Sequence, residues 1–186
     1  MRVISGSAKS KKLKAVPGDT TRPITDRTKE ALFSILGDWI VEARVLDLFA
    51  GTGAVGIEAL SRGAAQVTFV DKSPAATRTI GENLRITSLA ARAHVKRSDA
   101  FKFLQQPSDS LPPFDLIYIA PPQYKDLWAK AVEFIDRHLE NWLLVDGAVI
   151  AQIHPVEYHD LPLKNLTLYD QRKYGSTLLC FYEPLE

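Results

Sequence analysis

Cysteine is nearly missing from these 186 residues: Cys180 stands alone, which excludes an intramolecular disulfide and any cysteine-rich metal site. It lies in the apolar run Thr177 to Tyr182, where a buried structural thiol is expected rather than a nucleophile. No apolar stretch is long enough to span a membrane. The opening Met1-Arg2-Val3-Ile4-Ser5-Gly6 lacks the apolar core of a secretory signal, so an intracellular, cytoplasmic location is expected. Net charge is only +1, which excludes a uniformly polycationic molecule. Repeats and low-complexity segments are absent too. His94, His138, His154 and His159 have no metal-ligand spacing, and no metal is expected.

What is present is an ordinary globular composition, 46% hydrophobic and 24% charged, at a length suited to one domain with a proper core. Charge is uneven along it. Residues 1–30 carry eight cations against Asp19, Asp26 and Glu30, a surplus of five, so the remainder is mildly acidic and a local anionic partner is suggested.

Apolar periodicity alternates strand and helix. Short strands at Arg2–Ser5 and Leu13–Val16 around a turn-rich Gly6–Lys12 suggest a small basic hairpin, an extension over residues 1–20 ahead of a main domain over 21–186. A helix is expected from Thr25 to Leu36, stopped by Gly37. Strands are expected at 44–48, 66–70, 93–97, 114–119 and 147–153, and helices at 54–62, 74–86, 99–105 and 126–144. Strands near 166–172 and 177–182, with Lys173-Tyr174-Gly175-Ser176 between them, can pair as a hairpin. This alternation gives an α/β fold: a parallel sheet with helices on both faces and an antiparallel end. Trp39, Trp128 and Trp142 are expected to pack, with Trp128 near the 120–124 loop. Gln105 to Pro113 is the one long turn-rich loop.

Asp47-Leu48-Phe49-Ala50-Gly51-Thr52-Gly53-Ala54-Val55-Gly56 is the most informative stretch. It reads as strand end, glycine turn and helix start, and the next strand ends in Asp71-Lys72. Gly51-x-Gly53-x-x-Gly56 matches the dinucleotide fingerprint, which alone is a weak signal. The turn has no basic residue for a pyrophosphate, and the carboxyl of Asp47 before it suits a cationic ligand, such as the amino group and sulfonium of S-adenosylmethionine. Glycine lets the backbone approach such a cofactor. Asp71 can accept from two ribose hydroxyls, and Asp99, before Ala100, is placed for an adenine amino group. The alternative for Asp71 and Asp99 is helix capping.

Three segments carry a resemblance: Thr21-Arg22-Pro23-Ile24-Thr25-Asp26-Arg27-Thr28-Lys29-Glu30-Ala31-Leu32-Phe33-Ser34-Ile35-Leu36, Val45-Leu46-Asp47-Leu48-Phe49-Ala50-Gly51-Thr52-Gly53, and Glu58-Ala59-Leu60-Ser61-Arg62-Gly63-Ala64. With Arg2-Val3-Ile4-Ser5-Gly6 and Lys173-Tyr174-Gly175-Ser176-Thr177 they resemble, over nearly the whole chain, the RsmD family of guanine-N2 methyltransferases of small-subunit ribosomal RNA. The glycine motif is shared by many methyltransferases; its combination with Thr-Arg-Pro is far more specific. The resemblance implies a class I S-adenosylmethionine-dependent methyltransferase fold, Rossmann-like and seven-stranded, with cofactor binding at Arg22, Thr25, Asp47, Phe49, Ala50, Gly51, Gly53, Asp71, Lys72, Asp99 and Ala100. It places Arg22 to Thr25 at the methionine end of the cofactor, where a guanidinium suits a carboxylate. The plain alternative for Arg22 is a surface salt bridge.

The family carries Asp-Pro-Pro-Tyr after the fourth strand, with Asn for Asp or Phe for Tyr as variants. This chain reads Ala120-Pro121-Pro122-Gln123-Tyr124, a variant branch. Acceptors aimed at an exocyclic amine favour its attack on a methyl group and stabilise the positive charge that develops. The Pro121 carbonyl remains, Ala120 supplies no acceptor, Gln123 has an amide oxygen, and Tyr124 can stack on a base. A strand end at Pro121-Pro122 and a surface aromatic at Tyr124 are the plain alternatives. A second departure is Gln152-Ile153, where the family carries Glu-His. Lys9, Lys11, Lys12 and Lys14 would hold RNA phosphates of the small subunit, against the alternative of a solvated basic face. A monomer is expected. Two other functions stay open: methylation of another nucleic-acid amino group such as a DNA adenine, against which stands the lack of a target-recognition domain, and a ribosome-assembly factor that binds RNA without transferring a methyl.

Overall fold

The computed structural model describes residues 1–18, 23–107 and 113–185. Seven strands, β1 (Arg44–Leu48), β2 (Gln66–Asp71), β3 (Ala93–Arg97), β4 (Phe114–Ile119), β5 (Leu143–Ile153), β6 (Leu166–Tyr174) and β7 (Thr177–Pro184), form a sheet of order β3-β2-β1-β4-β5-β7-β6. The helices are α1 (Asp26–Leu36), α2 (Ala54–Ser61), α3 (Pro74–Thr87), α4 (Ala100–Leu104), α5 (Leu127–Arg137) and α6 (Leu139–Trp142). The chain divides into two compact units, Met1–Ala100 and Phe101–Glu186.

In the first unit β1, β2 and β3 are parallel, with Asp47 opposite Phe69 and Asp71 opposite Arg97. Val45, Leu46, Leu48, Val67, Phe69 and Val70 are buried, as expected of strands covered on both faces. α2 lies against β2 at very short range. A Cβ on Gly56 would stand 2.3 Å from the Phe69 ring and 2.8 Å from Val67, so only glycine permits this approach. α3 begins at a clear signal: Ser73 caps it by accepting the Ala76 N–H, and Pro74 occupies the first turn.

The expected N-terminal pairing is short: an antiparallel bridge joins Arg2 to Lys12, flanked by Val3 donating to the Lys11 carbonyl at 3.0 Å and Leu13 donating to the Met1 carbonyl at 3.1 Å, around a turn at residues 7–10. The physical reason is competition for the backbone. Ile4 and Ser5 donate to the Glu58 carboxylate, Ser7 donates to the Ser61 carbonyl, Ala8 donates to Ser61 Oγ, and Lys14 donates to Asn83. Anchoring to α2 and α3 takes up these other donors and keeps the ladder short.

In the second unit β4 and β5 are parallel, β5 and β7 antiparallel, and β6 and β7 antiparallel. The β6–β7 pair is the expected hairpin, with Tyr174 opposite Thr177. The helix expected over 126–144 is overturned in part. His138 leaves helical geometry at φ −130°, α6 adds a single turn, and β5 starts at Leu143 rather than 147. Leu143 pairs with Phe114, then the register jumps so that Leu116 meets Ala148. Among the described residues no helix is long and apolar enough to cross a membrane. Trp128 and Trp142 are buried, but Trp39 is 40% exposed, against the packing role expected of it. Cys180 is a buried free thiol whose pKa burial raises to about 11, so it is a poor nucleophile.

Candidate active site

The glycine turn of the first unit is built by one carboxylate. Asp71, at the end of β2, accepts the Gly51 N–H at 2.9 Å on one oxygen and the Ser73 N–H at 2.8 Å on the other. The strand end, the turn and the entry to α3 are thereby locked together. Helix capping is not its role, since Ser73 caps α3. Each oxygen keeps acceptor capacity beyond its backbone bond.

Ala50 donates to the Val70 carbonyl at 3.0 Å, and Gly53 donates back to Ala50 at 2.8 Å. Phe49 has φ +63° and Gly51 has φ +56°, both left-handed. For phenylalanine that conformation is rare and marks a constrained position. A Cβ on Gly51 would meet nothing within 4 Å, whereas one on Gly53 would stand 3.2 Å from Ile80. The turn therefore has open space on its Gly51 side and packed side chains behind Gly53.

Asp47 is 2% exposed and accepts the Gly56 N–H at 3.1 Å. Burial raises its pKa to about 8; the Gly56 bond opposes this, and the charge of Asp71 adds to it. Two acids beside one turn with open space on its Gly51 side suit a ligand that carries positive charge and a diol, and S-adenosylmethionine has both. Gly51, Asp71 and Asp47 are the residues here that would hold it. Lys72 is exposed, Asp99 half-buried and Ala100 buried at the start of α4. Thr25 spends its hydroxyl on capping α1, accepting from the Thr28 N–H at 3.1 Å. Arg22 lies outside the described residues, as does part of the 105–113 loop.

The second unit presents the Ala120–Tyr124 loop after β4. Ala120, Pro121 and Pro122 are half-buried, Gln123 is exposed, and Tyr124 is 67% exposed with its ring 5.8 Å from that of His154. Tyr124 and Asp126 are left-handed, at φ +61° and +53°. The residues after β5 hold them. Glu157 accepts the Tyr124 N–H at 2.6 Å and the His154 N–H at 3.1 Å, and His159 Nε2 meets Asp126 Oδ1 at 2.9 Å. The departure at Gln152 also has a partner: its amide oxygen accepts the hydroxyl of Tyr118.

Lys9, Lys11 and Lys12 are exposed on the anchored N-terminal turns, while Lys14 is paired with Glu82 at 2.8 Å. Among the described residues no group of three or more histidine, cysteine, aspartate or glutamate side chains is placed to hold a metal ion.

Sequence reasoning missed the support behind both regions. Lys29 and Glu58, each with a side chain fully buried, pair at 3.3 Å, and Glu58 also takes Arg62 at 2.8 Å. Lys29 donates to the Arg2 carbonyl at 2.6 Å, and its pKa is lowered, first by burial. Both residues stand in the resembling segments, so they were visible, but nothing in the spacing said they would meet. Glu157 carries a local signal, because His154-Pro155-Val156-Glu157 has capping-box spacing, and the box is formed.

A family model described as conserved hypothetical protein 95 matches residues 1–183. The chain is similar to "Putative rRNA methyltransferase YlbH" of Bacillus subtilis, at 40% identity over 98% of each chain. It is also similar to ribosomal RNA small subunit methyltransferase D of Escherichia coli, at 34% identity over 98% of this chain and 89% of the other. Among solved structures, a hypothetical protein of a Thermus species superposes with a TM-score of 0.81 at 32% identity, covering 98% of this chain and 99% of that one.

Proposed function

Because the chain belongs to the family described as conserved hypothetical protein 95, the RsmD family, we propose that it is an S-adenosylmethionine-dependent methyltransferase that modifies the exocyclic N2 of a guanine in small-subunit ribosomal RNA. The observation that carries the reading is the Asp71 carboxylate bonded to Gly51 and Ser73, with open space beside Gly51. It offers acceptors for a ribose diol at the end of a parallel strand, as nucleotide folds do.

Bound S-adenosylmethionine supplies an electrophilic methyl group on a sulfonium. The Asp71 carboxylate favours that cation, whereas Asp47, its pKa raised by burial to about 8, would contribute charge only as the bound cation drew that pKa down. On the target side, the Pro121 carbonyl and the Gln123 amide oxygen are acceptors for the guanine amine, and Tyr124 offers a face to the base, a stack worth about 1–3 kcal/mol. Transfer would exchange the sulfur–methyl bond of the sulfonium for a nitrogen–methyl bond, leaving a neutral thioether, and the proton lost from the amine would pass to water. Lys9, Lys11 and Lys12 bind phosphate.

Purified protein incubated with radiolabelled cofactor and small subunits from cells lacking this methyl group should place label on one guanine N2. Label on a different atom, or none while the cofactor is bound, sinks the reading. Restoring the acid by Ala120→Asp should leave activity unchanged or raise it, by up to about 100-fold if one preorganised acceptor is regained.

Ala120 itself favours a second reading, an RNA-binding assembly factor without transfer. It predicts cofactor binding, RNA binding and no label with either the parent or Ala120→Asp.

A further inference from the structure

We propose that Glu157 is a positioning residue for the target base, acting through the peptide that joins Gln123 to Tyr124. This rests on the functional reading of the 120–124 loop given above.

The motif in this chain has lost its acid and moved its aromatic one place along. Both replacements, Gln123 and Tyr124, flank a single peptide group, and Glu157 accepts the N–H of that group at 2.6 Å. The other oxygen of the same carboxylate accepts the His154 N–H at 3.1 Å, which fixes Glu157 to the end of β5. The bond thus sets where the Gln123 amide and the Tyr124 ring start from. Tyr124 needs such a hold. It sits at φ +61°, which a bulky side chain adopts only when its surroundings impose it, and it is too exposed for packing to do so. His154 completes the arrangement as a ring beside Tyr124, tilted by 40°. Two rings at the strand end, held by one carboxylate, make a platform for a purine.

The test compares the parent with Glu157→Ala, Tyr124→Ala and the double variant on small subunits lacking the methyl group. Glu157→Ala should lower kcat by about 10- to 100-fold, the scale expected when a reacting group is misplaced by an ångström. The KM for S-adenosylmethionine should hold. The double variant should lose less than the product of the two single losses, because part of what the carboxylate positions, the Tyr124 ring, is already removed while the backbone N–H and Gln123 remain. Glu157→Gln, which keeps one acceptor, should lie between parent and Glu157→Ala. Unchanged kcat in Glu157→Ala, or losses that multiply in the double variant, overturns the proposal.

A parent that transfers no methyl would fail the functional reading instead. The clamp is then judged without substrate, by exchange of the Tyr124 amide proton in NMR. Slow exchange in the parent that becomes fast in Glu157→Ala supports the clamp, and equal rates in the two overturn it.

Discussion

Glu58, its side chain fully buried with that of Lys29, receives the Ile4 and Ser5 amides, Arg62 and Lys29. Glu58→Ala would leave the Lys29 ammonium buried without its partner, at an expected cost of about 3–5 kcal/mol, read from urea denaturation. A loss below about 1 kcal/mol, on the scale of an exposed pair, would show the pair to be solvated. Asp47 makes a different prediction. Its pKa is raised from 3.8 to about 8, so the folded state keeps a proton that the unfolded state sheds. Stability from this group is therefore whole below about pH 4 and falls as pH rises towards 8, by at most about 1.4 kcal/mol per unit. Asp47→Asn keeps an acceptor for Gly56 and removes the ionisation, so it should gain on the parent near pH 8 but not near pH 4. Parallel pH profiles would refute the burial. Neither behaviour was legible in the sequence, which shows that an acid is present but not whether water reaches it.

At the scale of elements, most strands and helices were legible because periodicity reports which face is covered. The 126–144 segment shows the limit. Trp128, Val132, Ile135, Leu139 and Trp142 continue a helical spacing, so periodicity alone carries the helix past its end. The pairing of Leu143 with Phe114 makes the next residues strand, and that partner is 29 positions away in sequence. The left-handed residues Tyr124 and Asp126 were equally hidden, since neither is a glycine. One latch on this loop titrates. Its hydrogen bond to Asp126 raises the pKa of His159 above 6.5, so the latch is fully formed below that value and lost as pH rises through the raised one. An NMR titration of the imidazole should show the raised pKa, and Asp126→Asn should lower it. An unshifted parent would remove the latch.

Across the whole molecule, the basic N-terminus was legible as charge and only in part as form. Lys14 is neutralised by Glu82, which leaves Lys9, Lys11 and Lys12 as the proposed phosphate ligands. Replacing all three with glutamine should weaken RNA binding and flatten its dependence on salt, by roughly 0.7–0.9 in logarithmic slope for each lysine that had neutralised a phosphate. An unchanged slope would place the RNA elsewhere. Position at the strand ends made the acids at 47, 71 and 99 legible as candidates, while the anchoring of the N-terminal turns required the fold. That anchoring governs how a protease meets the molecule. Lys9, Lys11 and Lys12 offer trypsin three exposed sites, yet the backbone around them is tied to Glu58, to Ser61 and to itself. Cleavage needs a locally opened chain, so these bonds should stay intact until the segment lifts from α2, and the cutting rate becomes a gauge of how firmly Glu58 and Lys29 hold it.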